Sequence, residues 1–271
     1  MNKCRLGRLY CFDLKKGLVE NRIKLCVAIF ILLFFANVTI KSCIAQKDSI
    51  GFLGYWMMII GGMPEYIKSK TSIFQLPVSW FLYYAYLFFL VGFYPTSDLY
   101  SCGSKTLLMS GNRNKWIISK YLWIMTVIIV YYSLFAICIF LNECCLVNTN
   151  IEIQNVMDIY MLLGYVDVIA VWFVIPILTS IAIAFLQFTI TIISNAIVGY
   201  TISIIILVAS TYWMKAFLPG NYLMIVRSNQ IVDSGMKLID GFALGVCVVV
   251  VSLLVGCHVF NKKDICKIVE K

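Results

Sequence analysis

Five long apolar runs dominate the chain, at residues 25–40, 78–95, 121–141, 196–213 and 242–260, and the charged residues lie in the segments between them. A crossing helix needs about 20 mostly apolar residues to span roughly 30 Å of hydrocarbon, a length each run meets or approaches. A sixth run, 166–193, has Pro176 near its middle, and it fits either one kinked or overlong helix or two short spans. Positive charge on each side decides between these, because loops rich in Lys and Arg stay in the cytosol. With six spans and the N-terminus inside, 15 of the 22 Lys and Arg fall on the cytosolic side. A seventh span would send the basic tail with Lys262, Lys263, Lys267 and Lys271 outward.

GFLGYWMMIIGG, residues 51–62, is apolar but too short to cross, and reads as an interfacial or re-entrant helix. On this topology Trp80, Tyr83, Tyr212 and Trp213 on the outside, with Tyr94, Trp116, Tyr121 and Trp123 on the inside, fall near the headgroup levels where aromatic belts form. The expected fold is an all-α integral membrane protein, a single transmembrane domain of six helices with both termini cytosolic.

Composition supports a bilayer as the solvent. The chain of 271 residues is 62% hydrophobic and 13% charged, with mean hydropathy +0.91, too little polar surface to cover a soluble globule. Its 22 Lys and Arg against 13 Asp and Glu are not read as a nucleic-acid patch, since they sit at the ends of apolar runs. Eleven cysteines lie mostly in apolar or cytosolic segments and are expected to be reduced, while Cys43, Cys144 and Cys145 on the outer side leave an external disulfide open. One histidine and the lack of a CxxC pair give no metal spacing. The charges before the first run resemble a signal peptide, but that leader would be unusually long, and a retained first span is the better reading.

The basic stretch SGNRNKWIISKYLW then lies inside the cell, closing a loop that begins at Thr96. Such a loop holds one short helix at about 104–110, ended by Gly111, and a second that starts near Asn114 and runs on into the third span. GSKT at 103–106 lacks the glycine spacing of a phosphate loop, so no nucleotide site is recognisable. Residues 9–24 fit a helix lying along the inner surface, with Tyr10, Leu14 and Leu18 on one arc and Lys16, Glu20 and Lys24 on another. Asp167, Gln187 and Asn195 are polar groups in or beside the fourth span. Ionisable groups there are functional candidates, and amides more often make helix-to-helix hydrogen bonds or mark a turn.

FDLKKGL, PVSWFLYYAYLFFLVGFYPTSDL, SGNRNKWIISKYLW and FLPGNYLMIVRS together resemble the permease subunits of type 2 ABC exporters, over most of the chain. The resemblance is closest to small Gram-positive permeases of antimicrobial-peptide export, self-immunity or bacitracin-like resistance. It implies a bacterial cell membrane, a separate ABC ATPase subunit that binds the ATP, and a second permease chain, identical or paralogous. It also implies a coupling helix at about 99–115, with Ser104, Lys105, Arg113, Lys115 and Trp116 as ATPase-coupling residues. An N-terminal elbow helix at Phe12, Leu14 and Leu18 would make a further contact, beside membrane lipid. Asp167 and Gln187 become candidate polar groups of the pathway. The external segment 214–237 often dips back in this family to cap the pathway, while its own residues fit an outer surface segment or an ordinary exposed loop. No catalytic residue, cofactor or metal is expected, and an intramembrane enzyme lacks a constellation to support it. The alternative is a membrane protein that sequesters a partner or antimicrobial peptide without transporting it.

Overall fold

The computed structural model describes residues 6–46, 50–67, 74–98, 112–146 and 165–262. Among them the regular elements are helical, with one isolated bridge between Ser228 and Met236. In chain order they are α1 (Leu6–Glu20), α2 (Arg22–Ala45), α3 (Gly51–Ile60), α4 (Val78–Gly92), α5 (Tyr94–Asp98), α6 (Arg113–Leu146), α7 (Tyr165–Ile169), α8 (Ile175–Ile193), α9 (Ala196–Tyr212) and α10 (Leu238–Lys262).

The sixth apolar run forms one uninterrupted helical stretch. A π-helical turn, Ala170–Val174, joins α7 to α8 just ahead of Pro176. Proline lacks the N–H that would continue the ladder, and a local change of helical pitch is one way a helix absorbs that loss. Among the described residues four helices are long and apolar enough to cross a membrane: Arg22–Ala45, Arg113–Leu146, Asp167–Ile193 and Leu238–Lys262. The other two expected spans are shorter. Helices α4 and α9 hold 15 and 17 residues, about 22 and 26 Å at 1.5 Å per residue.

Contacts fix which helix ends meet. Tyr86 donates to the Lys24 carbonyl, Lys120 pairs with Asp13 and Asp98, and Arg113 donates to the Asn261 carbonyl. Those groups share one end of the bundle. At the other end Cys43 meets Met58, Trp80 donates to the Leu223 carbonyl, and Arg227 reaches Met63 and Thr211. Side-chain bonds between, Tyr132 to Ser180 and Tyr121 to Thr189, run α8 antiparallel to α6. The C-terminal ends of α4, α8 and α10 thus lie with the N-terminal ends of α2, α6 and α9.

Small residues set the closest approaches along α10. A Cβ on Gly245 would lie 2.9 Å from Leu178, and one on Gly241 2.5 Å from Tyr222, so the two glycines admit α8 and the segment before α10.

Three sequence expectations change. Of the eight aromatic residues placed at headgroup level, only Tyr212 and Trp213 are exposed; Trp80, Tyr83, Tyr94, Trp116, Tyr121 and Trp123 are buried between helices. Their rings pack on one another instead, as Tyr83 does on Tyr131 and Phe135, and Tyr94 on Trp123 at 4.2 Å. Of the two readings of helix α3 the surface one changes, because Leu53, Tyr55, Trp56, Ile59 and Ile60 are buried and Trp56 packs at a tilt against Phe135 and Phe173, while the re-entrant one is untouched by this. Nor is 214–237 an exposed loop throughout: two 3₁₀ turns, Pro219–Leu223 and Ile225–Arg227, fold into the bundle. Cys43, Cys144 and Cys145 are free thiols, the first buried and the other two exposed.

Candidate functional site

Two polar centres occupy opposite ends of the bundle, each built around a buried cation. The first lies where α1, α5 and α6 meet. Leu9, Asp13 and Gly17 recur every four residues on α1 and form its buried face. Gly17 permits close approach, since a Cβ there would lie 2.3 Å from Trp123 Nε1. That approach carries the Asp13 carboxylate to Lys120 Nζ at 2.6 Å, where Ser119 Oγ also donates to it. Lys120 Nζ reaches Asp98 at 2.5 Å, and Lys16 Nζ pairs with the other Asp98 oxygen at 2.5 Å. Lys120 and Asp98 are wholly buried.

Aromatic rings complete this centre. Lys120 Nζ stands 5.1 Å from the Tyr94 ring and 4.9 Å from Trp116, within cation–π range. Trp116 stacks on Phe260 of α10 at 5.1 Å with an interplanar angle of 9°. Tyr94 donates its hydroxyl to the Asp13 carbonyl. A lysine this deeply buried is tolerable only with carboxylates and further hydrogen bonds around it, which is the arrangement found.

The centre also clamps both stems of the cytosol-assigned loop. Asp98 ends α5, and α6 begins at Arg113, capped by Asn112 Oδ1, which accepts from Asn114 N at 3.0 Å. Arg113 Nη1 donates to the Asn261 carbonyl, and Asn261 Nδ2 donates to Asn114 Oδ1 at 2.6 Å. Displacement of either stem is therefore felt by α1, α6 and α10 together. Lys115 is half-buried. Ser104 and Lys105, with the coupling helix expected around them, lie outside the described residues.

Two of the three elbow residues lie on the exposed side of α1. Phe12 and Leu18 are exposed and Leu14 is half-buried, while the face toward α6 is the one that carries Asp13.

At the opposite end Arg227 is 2% exposed. Its Nε donates to the Met63 carbonyl at 2.9 Å, Nη2 to the carbonyls of Pro64 at 3.2 Å and Thr211 at 3.0 Å, and Nη1 to Ser210 O and Asn221 Oδ1. All five N–H groups of the planar fork are used. Ser210 and Thr211 close α9, so the cation sits at the negative end of that helix. Burial pulls the guanidinium down to about 10, with Glu65 opposing the shift, and it stays charged at neutral pH. Asn221 Nδ2 in turn donates to the carbonyls of Trp213 and Lys215, and the Leu223 carbonyl accepts from Trp80 Nε1 and Tyr84.

Gln187 lies toward the Lys120 end of α8, close to Thr189, which bonds to Tyr121. Its Nε2 donates to the Phe88 carbonyl at 3.0 Å and its Oε1 accepts from Ser203 at 3.1 Å, joining α8 to α4 and α9. Asn195 Oδ1 caps α9 through Val198 N at 2.8 Å. Asp167 is half-buried in the first turn of α7.

The Arg227 cage and the pairing of Lys120 with Asp13 and Asp98 were missed by sequence reasoning. Each left a signal: a lone arginine inside LMIVRSN, and two aspartates on the side of the chain where basic residues predominate. No family model, curated protein or solved structure matches this chain.

Proposed function

We propose that this chain is the membrane-spanning permease subunit of an ATP-driven exporter in a bacterial cell membrane, with six spans and the Lys120 end in the cytosol. A separate ATPase binds and hydrolyses ATP and grips segment 99–115. A second permease chain completes the pathway, and the cargo is an amphiphilic peptide or drug-like molecule.

The observation that carries this reading is the Asp98–Lys120 ion pair at 2.5 Å, which ties together the two stems of that segment and, through Asp13, fastens them to α1. A loop used only to connect two spans needs no such base, whereas a lever needs its stems to move as one body. The short α4 and α9 fit six spans in that the irregular segment 219–228 packs against both, at Trp80 and at Ser210 and Thr211, and such backbone is tolerated at membrane depth where it is buried in protein. Substrate selection would rest on apolar and aromatic faces.

Copurification from native membranes tests the assignment, since a transporter must bring a stoichiometric ATPase with it. In the resulting complex the double variant Arg113→Ala, Trp116→Ala should keep ATP hydrolysis and lose export. A chain that purifies without an ATPase, or a double variant that remains fully coupled, would overturn the assignment in favour of a sequestering protein or a different grip.

A further inference from the structure

The ion pairs at the Lys120 end leave one half-buried cation out. Asp13 and Asp98 are taken by Lys120 and Lys16, and Glu20 pairs with Lys16 at 3.4 Å. Lys24, in the first turn of α2, is half-buried and belongs to no ion pair among the described residues. Aromatic rings face its ammonium instead: Nζ stands 5.4 Å from the Phe89 ring and 5.7 Å from Phe93, within cation–π range. The same two rings meet Tyr200 of α9 at 6.1 and 6.2 Å. Tyr86 donates to the Lys24 carbonyl and Tyr200 to the Ala85 carbonyl, so α4 is tied here to both α2 and α9.

Phe93, Phe89, Tyr86 and Leu82 follow one another at helical spacing, which puts them on one face of α4. It is the face left open: Leu82 is exposed and the three rings are half-buried, while the residues between them are buried. From Phe93 to Leu82 this face runs about 16 Å at 1.5 Å per residue, close to half of the roughly 30 Å hydrocarbon core. An unneutralised cation therefore stands at one end of an apolar face that is one leaflet long.

We infer that this face is a binding site for one anionic phospholipid of the leaflet on the Lys120 side, with its phosphate at Lys24 and an acyl chain laid along Phe89, Tyr86 and Leu82. The inference goes beyond the exporter reading and needs only that these helices span a membrane. A half-buried ammonium has lost part of its hydration, and an anion offsets that loss more fully than rings do. Lysine binds phosphate as a point charge, and basic pockets between spans are places where anionic head groups lodge. An inorganic anion would meet the charge and leave the apolar face unused, whereas a phospholipid matches both in one molecule.

Native mass spectrometry of the full chain, purified in detergent and stripped of lipid, tests the site by titration with phosphatidylglycerol and, separately, with phosphatidylcholine of the same acyl chains. The wild-type protein should take up one phosphatidylglycerol ahead of any phosphatidylcholine. Lys24→Gln should weaken that first binding about fivefold, the weight of one lysine facing anionic lipid, with phosphatidylcholine uptake unchanged and Lys24→Arg restoring most of the loss. Lys15→Gln removes an exposed cation of α1 that the site does not use, and should change nothing. An equal loss in Lys15→Gln, indifference to the head group, or displacement of the lipid by inorganic phosphate at equal concentration would overturn the site. A purified dimer in which Lys24 is shielded from amine acylation and no phosphatidylglycerol binds would assign the face to a second copy, and would overturn it likewise. Should Lys24→Gln fail to accumulate, the wild-type protein is crosslinked to phosphatidylglycerol carrying a photoreactive group at the chain terminus. The label should fall on the peptide that holds Leu82, and a label spread evenly over the exposed faces of α2, α9 and α10 overturns the site.

Discussion

Lys120 and Arg227 are both buried cations in an apolar bundle, yet one is neutralised by carboxylates and the other by backbone dipoles. Lysine is a compact point charge, suited to two carboxylate oxygens arriving from different helices. Arginine presents a flat fork of five donors, which can gather carbonyls from separate loops without any anion. The first arrangement resists separation strongly, because pulling it apart strands a charge on each side. The second can be hydrated bond by bond. One end of the bundle is thus fastened by ion pairs and the other by hydrogen bonds to neutral acceptors.

The contrast is broken most severely by Lys120→Ala. It removes the charge between Asp13 and Asp98, and loss of one partner from a buried pair costs about 3–5 kcal/mol. The variant should nearly vanish from the membrane fraction. Joint replacement as Asp13→Asn, Asp98→Asn, Lys120→Met should restore much of the yield, measured by immunoblot and by thermal unfolding in detergent. If Lys120→Ala accumulates normally, the joint is not fixed and the comparison fails.

Arg227→Met comes next. The carbonyls of Met63, Pro64 and Thr211 lose their donors, and unpaired buried acceptors cost about 1–3 kcal/mol each where water cannot reach. Because exposed connectors adjoin this end, hydration should limit the total to about 2 kcal/mol, below the Lys120 effect. A detergent melting series on the two variants checks that order. Reversal would mean that the carbonyl cage is the stronger fastening.

What the sequence made legible follows from the range over which each feature is decided. Apolar runs are local, so the helices at 22–45, 113–146 and 238–262 were visible in outline, as was a helix starting near Asn114. Pairings between distant residues were not, since Lys120 and Asp13 are 107 positions apart and Arg227 and Met63 are 164 apart. The depth of aromatic residues was likewise illegible: Trp80 and Trp123 are as apolar at a headgroup as between helices, and only the facing rings decide. Gly17 was silent as well, because a glycine gives no sign of which bulky group it admits.

Gly17→Leu therefore sharpens the picture of the fixed joint without touching a charge. Its side chain would collide with Trp123 and push α1 away from α6, an overpacking cost of about 1–3 kcal/mol. Asp13 would be drawn off Lys120 by the same movement, so the loss should shrink to the Trp123 collision alone when Asp13→Asn and Lys120→Met are already present. Thermal unfolding of the single and combined variants gives that coupling directly. Additive losses would show that helix contact and ion pair are independent.

The smallest effect is expected on α8 near the Lys120 end, at Gln187→Leu. Two interhelical hydrogen bonds disappear, yet such bonds in membrane proteins average about 0.6 kcal/mol, so the loss should be about 1 kcal/mol. Each end of this buried amide is engaged within the bundle, one N–H by the Phe88 carbonyl and one oxygen lone pair by Ser203, which holds its orientation. In the reconstituted complex the variant should keep its export rate while melting slightly earlier. Loss of export with unchanged melting would give Gln187 the pathway role that its polarity suggests, and would place a working polar group close to the Lys120 joint.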